Sequence, residues 1–334
     1  MDVQNQVIGI VFALCAGMLF LWAVPSYARR LQRRARDQDA GDAGEDLQSD
    51  RLLEESTAPT VDPCDPPSLR TGAVPPDLPR GKVLVQGFGL LDAVGVSLFF
   101  GFYALTWFGA SKANTGEALG EMEHLNAGLL SMLILQGFQI FLVVVLIFGR
   151  MNVAAAFGLC WRRRWWQVFL APVVVLCIYA FMSLLQATGF NDWIASFIEG
   201  DGQQEAVKLL AENKDPLTLC LMAVVVCIGA PLCEEVVFRG YIYAAVKRFT
   251  NIPFAVLFTG LFFGAVHGNL LALLPLTILG VLLALAYEYT GSLWAPIAIH
   301  FCFNAVTTAL QIYFNFNPEL LEELEKNVGF VPLW

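Results

Sequence analysis

Eight stretches of this chain are apolar over enough residues to cross the roughly 30 Å hydrocarbon core of a bilayer, at about 1.5 Å per helical residue. They lie at about 7–24, 88–108, 128–148, 167–186, 217–237, 253–272, 273–290 and 293–314. Charged residues make up only 15% of the chain and hydrophobic ones 57%, with a mean hydropathy of +0.61, well to the apolar side of soluble domains. The expected fold class is therefore all-α, a polytopic membrane bundle of about eight transmembrane helices. The boundary between the sixth and seventh runs rests only on the Gly268-Asn269 neighbourhood and Pro275, so a seven-span division is the competing reading.

Lys and Arg set the expected orientation. With eight spans, sixteen of the twenty fall on one side and four on the other, and the richer side marks the cytoplasm. Both termini are then expected outside, in a bacterial cytoplasmic membrane. The net charge of −9 speaks against nucleic acid as a partner. The first run resembles a secretory signal near Ser26-Tyr27-Ala28, but no positive charge precedes it and Arg29, Arg30, Arg33, Arg34 and Arg36 follow it, the pattern of a retained anchor.

Residues 1–28 accordingly read as an N-terminal anchor helix and 87–315 as the catalytic bundle, with an acidic tail over 316–334. The segment 29–86, rich in Asp, Gly, Glu, Ser and Pro, reads as a disordered cytoplasmic linker, since such a composition cannot bury enough surface to offset its ordering entropy. A chain beginning near Arg80 is then expected to insert and act without the anchor. Six of the eight cysteines fall in spans and act as small hydrophobes; no C-x-x-C or metal spacing occurs. His124 reads as a solvated loop residue. Trp161, Trp165 and Trp166 among Arg162, Arg163 and Arg164 read as an interfacial belt.

Ionisable groups inside the apolar spans mark a site, because a charge near the bilayer centre costs roughly 2.5–3.5 kcal/mol on insertion scales. Glu234, Glu235, His267 and His300 are such groups. Helical spacing pairs Glu235 with Arg239 and rotates Glu234 away as the freer carboxylate. It also pairs Phe263 with His267 and His300 with Asn304. Counted from the expected cytoplasmic ends, Glu234, His267 and His300 lie about 20, 22 and 12 Å deep. Gly260, Gly264 and Gly268 form a repeated G-x-x-x-G stripe that lets helices approach closely. Pro231, one turn before Glu234, frees a carbonyl that side chains or water must reconnect. Asp215-Pro216 reads as the N-cap and first residue of this helix.

Glu234-Glu235-x-x-x-Arg239, Phe263-x-x-x-His267 and His300-x-x-x-Asn304, in that order on three helices, resemble the motifs of the CAAX prenyl endopeptidase and bacteriocin-processing family of intramembrane proteases. The resemblance spans about 216–310. It implies a helix bundle around a water-filled cavity and hydrolysis of peptide bonds in peptide or protein substrates, some of them lipid-modified. It also implies that Glu234 is the general base, helped by His267, with His300 and Asn304 as oxyanion donors and no cofactor. Glu235 and Arg239 are assigned to structure and charge balance. The alternatives are a zinc-dependent version, with Glu234, His267 and His300 as ligands, and a proton-coupled transporter or an immunity or scaffold protein. The oligomeric state is left open.

Overall fold

Glycine, proline and asparagine set the ends of the helices that matter here. The structure, a computed structural model, describes residues 3–25, 27–29, 31–32, 35–36, 81–113, 122–159, 165–198 and 213–328. Most of the expected linker (37–80), residues 160–164 with Trp161 and the three arginines, and the tail beyond 328 lie outside the described residues.

Among the described residues seven helices are long and apolar enough to cross a membrane, and no strand is formed. The long helices are α1 (Val3–Met18, continued by a π-turn at Leu19–Ala23), α2 (Leu90–Ala113), α3 (Met122–Ile147), α4 (Leu170–Ala187), α5 (Pro216–Phe249), α7 (Leu270–Thr290) and α8 (Trp294–Phe316). Between α5 and α7 lies α6 (Ile252–Val266), only 15 residues long. The acidic helix α9 (Pro318–Val328) follows α8. The chain is thus an all-α integral membrane protein. Position 124 falls in the first turn of α3 rather than in a loop.

The run expected to span 253–272 is broken. Its helix stops at Val266, His267 is the C-cap, and Gly268 turns the chain with φ 64°, a left-handed conformation that glycine adopts without steric cost. Asn269 then caps α7, its side chain accepting the Ala272 N–H at 2.8 Å. Pro275 lies inside α7, so it does not mark the boundary. At about 22 Å, α6 is shorter than the hydrocarbon core. It forms an antiparallel hairpin with α7, the most extensive helix pairing in the fold. The small-residue stripe explains the fit: a Cβ on Gly280 would lie 2.9 Å from the Gly260 Cα, and one on Gly264 would lie 2.8 Å from the Leu273 carbonyl oxygen. Gly268 is no part of this stripe; it serves the turn.

The N-terminal helix belongs to the same core. Ile8, Val11, Phe12 and Cys15 are buried, and the Phe12 ring meets Phe100, Trp107 and Phe262 at centroid distances of 5.8, 5.5 and 6.1 Å. By contrast, Leu98, Leu105, Ile134, Phe138, Phe141, Val173 and Leu176 are exposed, the outward apolar belt that a bilayer covers.

Lys247 and Arg248, at the end of α5, are buried. Lys247 Nζ donates to the Glu288 carboxylate at 2.7 Å and to the Val83 carbonyl at 3.0 Å, while Arg248 Nε reaches the Phe88 carbonyl at 3.2 Å. The segment 81–89 is therefore strapped across the end of α5, a role that the sequence does not advertise.

Candidate active site

The glutamates sit on a helix that is α-helical only in part. Asp215 caps α5, its carboxylate accepting from Thr218 N at 2.8 Å, and Pro216 occupies the first turn, as the sequence led one to expect. Two stretches, Val225–Gly229 and Glu235–Tyr243, are wound as wider π-turns, a feature that recurs at functional sites. The first has a local cause. The ring of Pro231 cannot pack against the carbonyl four residues back, and the turn widens so that Ala230 N bonds Val225 O, five residues back. The next amide in that register would reach Val226 O, but residue 231 has no N–H. Asn304 Nδ2 supplies the bond across the helix interface, at 2.8 Å.

Glu235 is fully buried. Its Oε1 accepts from Arg239 Nη1 at 2.8 Å and from His300 Nδ1 at 2.9 Å. Arg239, also fully buried, places its guanidinium 4.4 Å from the Phe263 ring centroid and bonds the Gly280 carbonyl at 3.2 Å. The i,i+4 pairing read from the sequence holds, and His300 joins it as a third member.

Glu234 is separate from that network. Its side chain is 23% exposed, and its Oε2, buried and without a hydrogen-bond partner, stands 3.9 Å from His300 Nε2. His300 thus spans the two carboxylates: Nδ1 is held by Glu235, and Nε2 is turned toward Glu234. His267, in the turn after α6, bonds the Phe263 carbonyl through Nδ1 at 2.7 Å. A carbonyl oxygen only accepts, so Nδ1 carries the proton and Nε2 of the neutral ring is left as the basic nitrogen. Both imidazoles meet the Phe263 ring, at centroid distances of 4.9 Å for His267 and 5.7 Å for His300.

One neighbour was not anticipated. Gln139 of α3, itself buried, accepts from the Cys233 thiol at 3.1 Å and from the Tyr103 hydroxyl at 3.2 Å. This ties α2, α3 and α5 together one residue before Glu234 and engages Cys233 in packing. A glutamine inside the apolar run 128–148 was the available signal. On the other side of α5, a cleft of about 360 Å³ is lined by Val168, Ile228, Pro231 and Leu232 facing Trp294, Ile297, Ala298 and Phe301. Its walls are almost wholly apolar.

The Nε2 atoms of His267 and His300 are the ones a metal ion would take, with the Nδ1 atoms fixed as metal-binding imidazoles usually have them. However, among the described residues no three His, Cys, Asp or Glu side chains are grouped so as to hold one.

The fold is that of a helical membrane protein with a buried Glu–Arg–His network and a second carboxylate, Glu234, beside it. Residues 216–306 match the family model for type II CAAX prenyl endopeptidase Rce1-like proteins. The chain is 30% identical over 144 residues to the Bacillus subtilis (strain 168) protein named "Putative membrane peptidase YdiL", covering 42% of this chain and 57% of that relative. It is 29% identical over 157 residues to "Uncharacterized protein YpbD" of the same organism, covering 46% of this chain and 70% of the relative. The match thus spans little more than half the length of the first of these. No solved structure matches the chain.

Proposed function

We propose that the chain is an intramembrane endopeptidase in which Glu234 activates the attacking water. The observation that carries this reading is the contrast between adjacent carboxylates: Glu235, with no exposure, gives its Oε1 to Arg239 and His300, whereas Glu234 is hydrogen-bonded to neither, keeps some exposure and turns its Oε2 toward His300 Nε2.

In this mechanism Glu234 removes a proton from water as the oxygen attacks the scissile carbonyl, and later delivers that proton to the departing amine. His267, with its basic Nε2, helps position the water. His300, held through Nδ1 by Glu235, donates from Nε2 to the developing oxyanion when its ring carries both protons, and the second amide hydrogen of Asn304 adds to it. Such donors act most strongly where bulk water is excluded. Arg239 balances the charge of Glu235, and removing it would leave an unpaired buried carboxylate. The apolar cleft takes the hydrophobic part of the substrate, either membrane-embedded side chains or an attached lipid chain.

Catalysis on this reading needs no metal. The basic-rich side of the bundle, carrying the strap at 81–89, faces the cytoplasm of a bacterial cell; the short α6 enters from that side and α7 returns antiparallel to it, so that both termini lie outside. The test is purified protein in lipid nanodiscs with two peptides of one sequence, prenylated and unprenylated at a C-terminal cysteine. Cleavage of the prenylated peptide, retained after chelator dialysis, is expected. Activity that disappears on dialysis and returns with zinc would favour the metal-dependent version, and no cleavage of either peptide would count against this substrate class.

A further inference from the structure

Pro231 and Asn304 act as a matched pair. The proline removes the one backbone donor that the π-turn at Val225–Gly229 needs to satisfy the Val226 carbonyl, and the Asn304 amide on α8 replaces it at 2.8 Å. A π-turn adds a residue to the helix, so everything after it is offset by about 100° around the axis relative to an uninterrupted α-helix. Glu234 and Glu235 begin five residues after that turn, and their facing depends on its being held.

We propose that Asn304 is a positioning residue: by standing in for the missing N–H of Pro231 it locks the π-turn and sets the rotation of the two glutamates toward His300. The same bond crosses from α5 to α8, and His300 lies one turn before Asn304 on α8. A single amide therefore fixes both the rotation of the carboxylates and the distance to the helix that carries their imidazole. This deepens the reading of Glu234 as the base and rests on it for the catalytic consequence, but the lock itself can be tested without activity.

The test is a mutant cycle of Pro231→Ala and Asn304→Ala. Alanine at 231 restores a backbone N–H that reaches Val226 O in the π register, while reversion to an α register would satisfy the same carbonyl from Ala230; in either case Asn304 becomes dispensable to that carbonyl. Three readouts are taken: melting temperature in detergent, the rate at which dicyclohexylcarbodiimide modifies Glu234, and kcat and KM on the prenylated peptide. Asn304→Ala alone is expected to lower the melting temperature by roughly 2–4 °C, to change the labelling rate of Glu234, and to lower kcat at least tenfold with little change in KM. In the Pro231→Ala background each of these effects is expected to shrink by more than half.

An equal kcat penalty in both backgrounds would overturn the proposal and leave Asn304 as an oxyanion donor alone. Equal melting-temperature losses in both would show that no lock exists. If Asn304→Ala does not accumulate as folded protein, the double variant is still expected to do so, and failure of that rescue contradicts the pairing. Should the wild type cleave neither peptide, the prenylated substrate class falls while melting and labelling still decide the lock.

Discussion

Glu234 and Glu235 are adjacent in sequence and opposite in setting. Glu235 is locked between Arg239 and His300 with no exposure, so Glu235→Gln leaves a buried guanidinium without its counter-charge, a change that typically costs about 3–5 kcal/mol. Glu234→Gln breaks no hydrogen bond seen in the structure. Thermal unfolding in detergent should therefore separate them, with a large loss for Glu235→Gln and almost none for Glu234→Gln; similar losses would contradict the division of roles. At this scale the sequence was informative. Spacing alone paired Glu235 with Arg239 and left Glu234 free, because i,i+4 neighbours still meet in a widened turn. The bond from His300 to Glu235 was not legible, since nothing in a linear spacing fixes which helix faces which. The bond from Asn304 to Val226 was half legible: Pro231 announced an orphaned carbonyl without naming its partner.

Among the elements, the α6–α7 hairpin decides where His267 and Phe263 stand. It closes through backbone-to-backbone approach at Gly260 and Gly280, and any Cβ there forces the helices apart. Gly280→Ala is expected to cost about 1–3 kcal/mol by overpacking and to lower cleavage, as Phe263 moves away from Arg239 and His300. Gly137→Ala, in α3 with open space around it, is the control and should be neutral or slightly stabilising. Circular dichroism melts and turnover check both, and equal effects would contradict the packing argument. The stripe itself could be read from the sequence, whereas the end of α6 at Val266 could not. An unbroken apolar run hides a break when the turn residues, here Gly268 and Asn269, are themselves tolerated in membrane helices, and Pro275 drew attention to the wrong place. The π-turns in α5 carry no sequence mark except Pro231.

For the whole molecule, the N-terminal helix and the strap at 81–89 make the bundle a single packed unit among the described residues. Phe12 fills a gap between Phe100, Trp107 and Phe262, and α6 is the helix it supports most. The composition of 29–86 suggested that the helix before it was a dispensable tether; the packing of α1 revises that expectation. A chain beginning at Gly81 should insert, because Lys82, Lys247 and Arg248 stay in place, but it should elute less uniformly in detergent and melt at lower temperature than the full chain. Adding back a peptide of residues 1–36 should restore part of the loss, and a truncated protein as stable as the full chain would contradict the packing of α1.

The account rests above all on Glu234 as the base, and one measurement reaches it directly: turnover of the prenylated peptide by Glu234→Gln in nanodiscs, with folding verified by its melting temperature. The amide keeps the shape of the side chain and cannot take a proton from water. Loss of detectable cleavage with an unchanged melting temperature is the predicted result, and turnover within tenfold of the wild type would contradict the assignment.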